Sequence, residues 1–391
     1  MHRRLVVLVV PLLVAVGWAG APPPAPAPGF QEVSAGAQHS CGITTTNGVR
    51  CWGDNEHGKL GDGSTTDSSV PVDVVGLSSG VRSVVAGGDQ SCALLKTGRV
   101  KCWGFGGAGQ LGVSSFASSP TPVFVDGLTN AVALAGTNFA NHVCALTSAG
   151  GVKCWGHGGY GELGNGAIEN ANAPVDVVGL TSGVASISAG GSTTCAVTVT
   201  GGARCWGWNI WGQLGNGEGG GGLSAWNSVP VDVMGLSSGV AEIAAGGYFT
   251  CALMTAGGAK CWGLNFQGQL GANRPPEAES NVPVDVVGLT DAVAIAAGWE
   301  HTCTVRAGGG MKCWGDNEWG QVGNGTTTTG VGAPVDVQQL GGRAIQVTAG
   351  ERHTCARLQG NVAKCWGWNE FGQLGNGETT DRSLPVPVIT S

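Results

Sequence analysis

Short apolar segments rich in β-branched residues alternate along the chain with glycine-rich turns, and the arrangement recurs about every fifty residues. In the second copy the pattern predicts strands over 81–86, 91–95, 100–103 and 122–126, the last one after a long Gly- and Ser-rich connection. The copies begin near residues 30, 81, 131, 184, 240, 292 and 344. Four short strands cannot bury their own faces, but seven such sheets in a ring can. The pattern therefore predicts an all-β, seven-bladed β-propeller with four antiparallel strands per blade.

Two cysteines mark the middle of every copy, the second always ten residues after the first and always followed by Trp-Gly. A glycine-containing turn midway makes this segment an antiparallel hairpin, which places the two cysteines directly opposite each other and within disulfide reach. Strand alternation puts the following tryptophan on the opposite face. The sequence thus predicts one disulfide per blade: Cys41–Cys51, Cys92–Cys102, Cys144–Cys154, Cys195–Cys205, Cys251–Cys261, Cys303–Cys313 and Cys355–Cys365.

The fourth strand of each copy begins with proline and carries an aspartate, as in PVDVVGL at 71–77 and 283–289. Proline is confined to strand ends and sheet edges, and a charge protects an exposed edge, so this strand is predicted to be the outermost. The first, more apolar strand suits the crowded centre of the ring. Two registers for closing the ring remain open. Either each copy is a whole blade, or the segment 385–389 completes the first blade.

The amino terminus has the pattern of an export signal. Arg3 and Arg4 precede a twelve-residue apolar segment and an Ala19-Gly20-Ala21 cleavage site. We expect a signal peptide at 1–21 cleaved after Ala21, a Pro/Ala-rich linker at 22–29, and a single propeller at 30–391. A retained membrane anchor is the alternative, although the segment is short for a membrane span. A secreted or periplasmic location would explain an even number of regularly spaced cysteines.

Charge narrows the class of partner. Charged residues make up 12% of the chain, and loss of two arginines with the signal peptide would change the formal net charge from −7 to −9. Nucleic acid is not expected as a partner, because phosphate binding requires clustered Lys and Arg. No segment after residue 21 is long and apolar enough to span a membrane, and we expect a monomer.

The motifs resemble the regulator of chromosome condensation repeat in all seven copies over residues 30–391. The resemblance rests on segments such as AGWEHTC (297–303), CWGDNEWGQVG (313–323) and Pro334-Val335. It implies a seven-bladed propeller but no single activity, since members include a nucleotide-exchange factor for a small GTPase, a plant ultraviolet photoreceptor and a secreted inhibitor of β-lactamases. The expected signal peptide, the absence of a basic tail and the paired cysteines differ from the nuclear exchange factor. The export signal and the single-domain layout make the chain more similar to the secreted inhibitor.

Candidate chemistry in the repeat is weak. The His-Ser and His-Thr pairs at His39, His301 and His353 suggest a nucleophile beside its base, but adjacent strand residues point to opposite faces. We expect structural histidines that bind backbone at the turn. Histidines precede the first cysteine in only four copies, which makes a poor zinc site. The acidic loop with Asp62 and Asp67 loses its carboxylates in other copies, which indicates turn chemistry rather than a calcium site. No catalytic residue, cofactor or metal is predicted.

Function is expected where the copies differ, namely in the turn after Ala-Gly and in the long connection. The predicted partner-binding residues there are Phe139, Trp226, Tyr248, Phe249, Trp299, Glu300, Glu351 and Arg352.

The main hypothesis is a non-catalytic scaffold that binds a protein or a glycan through one end of the ring, with inhibition of a secreted enzyme as one form. A hydrolase or lyase using Glu300, His301, Glu351 and Arg352 at the channel mouth is the alternative, as is a passive surface component. Exchange on a small GTPase ranks below these. The alternative to a binding role for Trp226 and Trp299 is a structural one, in which the two side chains cover neighbouring loops.

The aromatic residue before Gly-Gln-Leu-Gly recurs at a fixed place in four copies and is therefore interpreted as structural. These residues are Tyr160, Trp211, Trp319 and Phe371.

Overall fold

Seven four-stranded antiparallel sheets form the ring, and each sheet consists of four consecutive strands. The computed structural model describes residues 29–136, 140–219, 225–275 and 278–390. The predicted signal peptide (1–21), most of the predicted linker (22–29) and Phe139 lie outside these residues. The predicted fold class is confirmed: seven blades, all β, with the apolar strand innermost and the Pro-Val strand outermost.

Strands are numbered β1 to β28 in chain order, so that each blade holds four consecutive numbers. The inner strands are β1 (Phe30–Ala35), β5 (Val81–Ala86), β9 (Ala131–Ala135), β13 (Val184–Gly190), β17 (Val240–Ala245), β21 (Ala292–Ala297) and β25 (Ala344–Ala349). The second strands are β2 (His39–Thr44), β6 (Gln90–Leu95), β10 (His142–Thr147), β14 (Thr193–Thr198), β18 (Phe249–Met254), β22 (His301–Arg306) and β26 (His353–Leu358).

The third strands are β3 (Val49–Gly53), β7 (Val100–Gly104), β11 (Val152–Gly156), β15 (Ala203–Trp208), β19 (Ala259–Gly263), β23 (Met311–Gly315) and β27 (Ala363–Gly367). The outer strands are β4 (Ser68–Asp73), β8 (Ser119–Phe124), β12 (Ala171–Asp176), β16 (Trp226–Asp232), β20 (Ser280–Asp285), β24 (Val331–Asp336) and β28 (Arg382–Pro387). Because strand direction alternates, the turns from first to second strand and the long connections from third to fourth strand lie at one end of the ring, here called the turn end. The hairpins between second and third strands lie at the other, the hairpin end.

The middle hairpin of each blade has the predicted register. Cys92 pairs with Cys102 and Ser91 with Trp103, and all seven predicted disulfides are present. The disulfide and the tryptophan occupy opposite faces, so the disulfide of one blade packs near the tryptophan of the next. Cys41, Cys51 and Trp103 belong to one apolar cluster. The repeat therefore fills each boundary between blades with the same pair of groups.

The Gly-Gln-Leu-Gly motif of one blade binds the tryptophan of the next. The indole N–H of Trp103 donates to the Lys59 carbonyl at 2.9 Å, at the position that most other blades give to glutamine. The glycine two residues later, Gly61, has a φ of 75°, and a Cβ there would lie 2.6 Å from the Trp103 indole nitrogen. Glycine is required at this position by both its backbone conformation and the close approach of the ring.

The last blade closes on the first through ordinary packing between blades. Strand β28 pairs with β27 of its own blade, so the first of the two closing registers is the observed one. Trp52 in the first blade donates to the Gln373 carbonyl of the last blade at 2.9 Å. The Cys-Trp-Gly tryptophan of each other blade donates to the corresponding carbonyl of the preceding blade. Phe30, Val33 and Trp52 share an apolar cluster with Leu374 and Val388. Closure therefore repeats the contacts that join consecutive blades.

The inner strands surround a cavity of about 300 Å³. Carboxylates in this channel bind backbone of the neighbouring blade: Glu32 accepts from the Val84 N–H at 3.0 Å and Glu242 from the Ile295 N–H at 3.2 Å. Burial raises the pKa of Glu32 to about 7 and also raises the pKa of Glu242. Gln346 in the last blade binds the Val33 backbone in both directions. These channel side chains thus link neighbouring inner strands.

Candidate binding surface

The described parts of the turns that follow Ala-Gly lie around one mouth of the channel, and several of these turns bind the turn of the neighbouring blade through backbone. The Ala37 N–H donates to the Gly87 carbonyl at 2.9 Å, and the Glu351 N–H donates to the Gly36 carbonyl at 3.1 Å. The Trp299 N–H donates to the Gly350 carbonyl at 3.3 Å. A hydrogen-bonded collar of this kind holds the variable side chains of the turns at fixed positions, which favours recognition by preformed contacts.

Tyr248 and Trp299 meet at this mouth. Their ring centroids lie 4.6 Å apart with an interplanar angle of 66°. Glu300 lies close enough to raise the pKa of Tyr248, after the larger effect of burial. In the last blade Arg352 pairs with Glu351 at 3.4 Å. The structure thus brings five of the residues singled out in the turns into neighbouring positions on blades five to seven.

Phe249 was predicted on this surface, and that prediction is wrong. Its side chain is fully buried in the apolar core between blades five and six. Tyr248 ends the turn, and Phe249 begins strand β18, at the position where four other blades place a histidine. Its ring packs over Gly246, where a Cβ would lie 2.5 Å from the ring. Phe249 therefore supports the turn from beneath and cannot contact a partner.

Trp226 lies on the surface at the start of strand β16 and is 37% exposed. Its Cα partner in the sheet is Trp208, at the end of β15. The long connection of the fourth blade thus returns beside the residue that follows Cys-Trp-Gly. Trp226 consequently lies at the turn end, at the outer part of the same blade that carries Trp208.

A row of four aromatic residues crosses four blades at the turn end. Tyr160 stacks on Trp208 with centroids 5.0 Å apart and an interplanar angle of 19°. Trp208 meets Tyr248 edge-on at 5.5 Å, and Tyr248 in turn meets Trp299. We call Tyr160, Trp208, Tyr248 and Trp299 the aromatic arc. One residue comes from each of blades three, four, five and six, so the arc exists only in the assembled ring.

A second aromatic cluster lies on blades six and seven. Trp319 and Trp368 have centroids 6.0 Å apart, and Phe371 meets Trp368 edge-on at 5.4 Å. The guanidinium of Arg352 lies over both indoles, 5.7 Å from the Trp319 centroid and 5.9 Å from that of Trp368. Such cation–π contacts hold the arginine in place. Arg352 is thus bound by two rings and one carboxylate.

Trp208 and Trp368 were not among the residues predicted from the sequence, and Tyr160 was interpreted as structural. The missing signal was the residue directly after Cys-Trp-Gly, which is Asp54, Phe105, His157, Trp208, Leu264, Asp316 and Trp368 in the seven copies. This position diverges as much as the turns do. The structure places it beside the turn of its own blade, since the Trp208 N–H donates to the Ser192 carbonyl and the Trp368 N–H to the Arg352 carbonyl, both at 2.9 Å. An aromatic side chain at this position contacts rings of the neighbouring blades.

The carboxylates among these aromatic residues lie in a partly dry environment. Burial raises the pKa of Glu300, and the nearby Asp316 carboxylate raises it further. Burial likewise raises the pKa of Glu351, against the opposing effect of Arg352. A cationic group approaching Glu300 would meet a carboxylate that water solvates poorly, where a charge pair is stronger than on an open surface.

The turn end is strongly acidic and the hairpin end is mildly basic. Among the described residues the turn end carries sixteen acidic side chains: Asp54, Glu56, Asp62, Asp67, Asp89, Glu162, Glu169, Glu218, Glu279, Glu300, Asp316, Glu318, Glu351, Glu370, Glu378 and Asp381. Its four basic residues are Lys59, Arg274, Arg352 and Arg382. The thirteen basic residues of the hairpin end are Arg50, Arg82, Lys96, Arg99, Lys101, Lys153, Arg204, Lys260, Arg306, Lys312, Arg343, Arg357 and Lys364.

The acids of the hairpin end and its channel strands are fewer than these bases and are mostly paired. They are Glu32, Asp73, Asp126, Asp176, Asp232, Glu242, Asp285, Asp291 and Asp336. The aspartate that ends an outer strand typically pairs with the Lys or Arg before the second cysteine, as Lys260 does with Asp285 at 2.6 Å. The two ends of the ring therefore present surfaces of opposite charge.

The repeated histidines are structural, but their partner differs from the expected one. His39 Nε2 lies 2.8 Å from Ser91 Oγ in the next blade rather than binding backbone at its own turn. The Ser91 hydroxyl donates to the Lys59 carbonyl, so it must accept from His39. His39 is therefore the neutral tautomer with its proton on Nε2 and none on Nδ1. Burial lowers the pKa of His301 and of His353 to about 3. The serine hydroxyl is fully buried and already donates to a carbonyl, so this pair is not a nucleophile with its base.

Side-chain amides fill the loops that resembled cation sites. The Asn55 Nδ2 donates to Asp62, Ser64 and the Thr66 carbonyl, while the Asn55 N–H donates to Asp67. Within residues 29–390, apart from the undescribed gaps, no group of three or more His, Cys, Asp or Glu residues is arranged to hold a metal ion. The loop acids thus have amide donors as partners.

No helix in the described ranges is long and apolar enough to cross a membrane.

Sequence comparison identifies the repeat. The "Regulator of chromosome condensation (RCC1) repeat" matches residues 30–59, 81–110, 184–213, 240–269, 292–321 and 344–373 in one form. A second form matches residues 48–94, 149–197, 201–253, 261–305, 309–357 and 365–391. Together the matches extend through nearly the whole ring.

Among curated proteins the chain is similar to the Arabidopsis thaliana ultraviolet-B receptor UVR8, with 31% identity over 90% of this chain and 80% of the relative. It is 33% identical to the mitochondrial RCC1 domain-containing protein RUG3 of Arabidopsis thaliana, over 74% of this chain and 66% of the relative. The human E3 ubiquitin-protein ligase HERC2 is 31% identical over 85% of this chain, which spans only 7% of that ligase.

Solved structures agree on the fold. Yeast RCC1 (Prp20), in a crystal structure with Kap60, superposes with a TM-score of 0.76 at 24% identity, covering 88% of this chain and 83% of that one. Human WBSCR16 superposes with a TM-score of 0.73 at 24% identity, covering 84% and 86%.

Proposed function

Because the chain belongs to the regulator of chromosome condensation (RCC1) repeat family, we propose that it is an exported, non-catalytic scaffold that binds a protein partner at the turn end of the propeller. The family and the ring architecture support a protein-interaction scaffold. Family membership alone does not select the end of the ring or the partner, since one fold carries several functions. The choice of the turn end rests on the surface itself.

The aromatic arc carries this proposal. Its four rings come from four blades and contact one another in sequence, and Tyr160 is 38% exposed. Tyr, Trp and Arg contribute most of the binding energy in protein interfaces, because they bury a large area at a low cost in side-chain entropy. Arg352 and the partly exposed Trp319 extend the same surface toward blade seven, and the buried Trp368, 8% exposed, holds them in place. A partner of ordinary size would contact both clusters.

The titratable groups at the mouth support binding rather than catalysis. His301, one of four candidates for a channel-mouth enzyme, is buried and bonded to Thr354 at 2.9 Å. Arg352 is engaged by Glu351, Trp319 and Trp368. The carboxylates that remain lack a base–nucleophile arrangement among the described residues. The observations therefore favour the scaffold over a hydrolase or lyase.

Export is part of the proposal. The amino-terminal sequence has the charge, apolar segment and small-residue site of a signal peptide, and a set of seven disulfides is typical of a protein in an oxidising compartment. Amino-terminal sequencing of the protein purified from its native host should begin at Pro22 and should find it outside the cytoplasm. An uncleaved amino terminus in a cytoplasmic fraction would contradict export while leaving the binding proposal intact.

Affinity capture with matched variants tests the binding site. Immobilised wild type should recover a partner from the native extracellular or periplasmic fraction. A Tyr160→Ala, Trp208→Ala, Trp299→Ala variant should lose at least tenfold of the capture, since each central aromatic residue contributes on the order of 2 kcal/mol. A control variant removes the exposed apolar side chains Phe124, Val199 and Met234 of the hairpin end.

The control should capture the partner like wild type, and circular dichroism should show both variants folded. Equal capture by all three proteins would contradict a site at the turn end. If the partner is an enzyme, adding the propeller in excess should lower its activity, and the arc variant should not.

A further inference from the structure

We infer that the partner of the turn end presents a cationic surface, formed by Lys or Arg side chains of a protein. This inference rests on the proposed function, because it specifies the chemistry of whatever binds the aromatic surface. It starts from the distribution of charge between the two ends. Among described residues the turn end has twelve more acidic than basic side chains, whereas the hairpin end has four more basic than acidic ones.

This asymmetry does not arise from the repeat. At the hairpin end six of the nine described acids pair with a base, five of them at the repeated outer-strand position, as in Arg50–Asp73, Lys153–Asp176 and Lys312–Asp336. At the turn end the charges lie in the positions where the copies diverge, and several carboxylates have no cation within 4 Å among the described residues. Glu300, Asp316 and Glu318 on blade six are of this kind. An unneutralised excess on one end produces a field that attracts a cationic partner and steers its approach.

The acids and the aromatic surface occupy the same area. Glu300 follows Trp299, Glu318 precedes Trp319, and Glu370 precedes Phe371 in the chain. Glu300 is near enough to Tyr248 and Asp316 to raise the pKa of Tyr248 and to have its own pKa raised. Alternating carboxylates and aromatic rings match the two needs of a Lys or Arg side chain, which are a counter-ion and an apolar or π surface for its stem.

Arg352 shows how such a side chain would sit. Its guanidinium lies over Trp319 and Trp368 and pairs with Glu351. This is an internal example of a cation held by rings and a carboxylate at the turn end. The partner's arginines or lysines would use the remaining acids in the same way, beside the aromatic arc. An anionic partner would instead meet like charge over most of this end.

A pair of synthetic peptides tests the inference with the intact propeller. The first is rich in arginine and tyrosine, and the second has glutamate in place of each arginine. Fluorescence anisotropy should show binding of the first peptide only. Raising NaCl from about 0.1 M to about 1 M shortens the Debye length from about 10 Å to about 3 Å and should weaken that binding at least tenfold.

Two variants with the same change in charge locate the effect. The first variant should bind the arginine-rich peptide at least tenfold more weakly than wild type; it carries Glu300→Gln, Asp316→Asn, Glu318→Gln and Glu370→Gln. Asp73→Asn, Asp176→Asn, Asp232→Asn, Asp285→Asn removes four acids of the hairpin end, whose exposed ion pairs contribute little to stability. This control should bind the peptide within twofold of wild type.

Three outcomes would overturn the inference: equal binding of both peptides, equal weakening by both charge variants, or binding of a neutral glucose oligosaccharide in place of the arginine-rich peptide. The triple aromatic variant separates the two proposals. If the aromatic variant no longer binds the arginine-rich peptide while the four-acid variant still does, the result supports a binding site at the turn end and contradicts a cationic partner. If only the four-acid variant no longer binds the peptide, the result contradicts the proposal that the aromatic arc is the binding site.

Discussion

His353 Nε2 in the last blade lies 2.9 Å from Ser40 Oγ in the first blade. The Ser40 hydroxyl donates to the Gln373 carbonyl at 3.0 Å, so the imidazole donates and the hydroxyl accepts from it. Residues at opposite ends of the chain thus form the same chain of hydrogen bonds that His39, Ser91 and Lys59 form between consecutive blades. These side chains and the backbone bond from the Glu351 N–H to the Gly36 carbonyl close the ring without an exchanged strand.

Replacing Ser40 with alanine should destabilise the closed ring. The change leaves His353 Nε2–H without its acceptor in a dry site, which costs about 1–3 kcal/mol. Ser91→Ala is the matched control at a boundary where the chain itself joins the blades. Urea denaturation should show similar losses for both variants, and amide exchange in β1 and β28 should rise only for Ser40→Ala. Full stability of Ser40→Ala would contradict closure through this contact.

Acid should destabilise the propeller through its buried histidines. The folded-state pKa is about 4 for His142 and about 3 for His301 and His353, below the ordinary value of 6.5. Between pH 6.5 and the folded-state pKa of each histidine, the unfolded chain binds more protons than the folded protein. Stability is therefore retained above pH 6.5 and is lost as the pH falls toward 3. Each histidine contributes a slope of up to about 1.4 kcal/mol per pH unit. Glu32, with a raised pKa, changes stability in the opposite direction between about pH 4.5 and 7.

Denaturation of the His301→Gln, His353→Gln variant at several pH values isolates the histidine effect. Glutamine occupies the same position in the second blade as Gln90, so the substitution fits the repeat. The variant should lose less stability than wild type between pH 6 and pH 4. Parallel curves for the two proteins would show that these histidines do not carry the pH dependence.

Lys59 should tolerate glutamine better than methionine. Its ammonium is fully buried and pairs with Asp54 and, at 2.9 Å, with Asp89. Lys59→Met leaves the buried Asp54 without a cation, which costs about 3–5 kcal/mol. Lys59→Gln reproduces blade six, where Gln321 donates to Asp316 at 2.7 Å, and should cost much less. Thermal denaturation of both variants measures the difference; equal losses would mean that the cavity, rather than the unpaired carboxylate, determines the cost.

The seven disulfides should leave no reactive thiol in the native protein. Thiol titration should find no free cysteine before reduction and all 14 after reduction and unfolding. Replacing Cys92 and Cys102 together with alanine should lower stability by roughly 2.5–3 kcal/mol in the chain-entropy model, less where strain or residual structure intervenes. Several thiols titrating in the exported native protein would refute the pairing.

The seven units, their four strands and their disulfides could be read from the sequence because they are local. A ten-residue offset across a tight turn fixes which residues face each other, so Cys92 and Cys102 find one another within a single hairpin. Proline and aspartate mark the outer strand for a similarly local reason, the incompatibility of proline with a ladder on both sides. Seven copies of one pattern repeated this evidence seven times.

The tertiary structure decided everything that depends on one blade meeting the next. Phe249 and Tyr248 are neighbours in the chain, yet the strand begins between them and buries the first while leaving the second partly exposed. The arc from Tyr160 to Trp299 and the bond from His353 to Ser40 join residues separated by one or more whole blades. No periodicity encodes such contacts, because they depend on how the blades pack around the ring. The sequence therefore determined the blade, and the packing of blades determined the closure and the surface available to a partner.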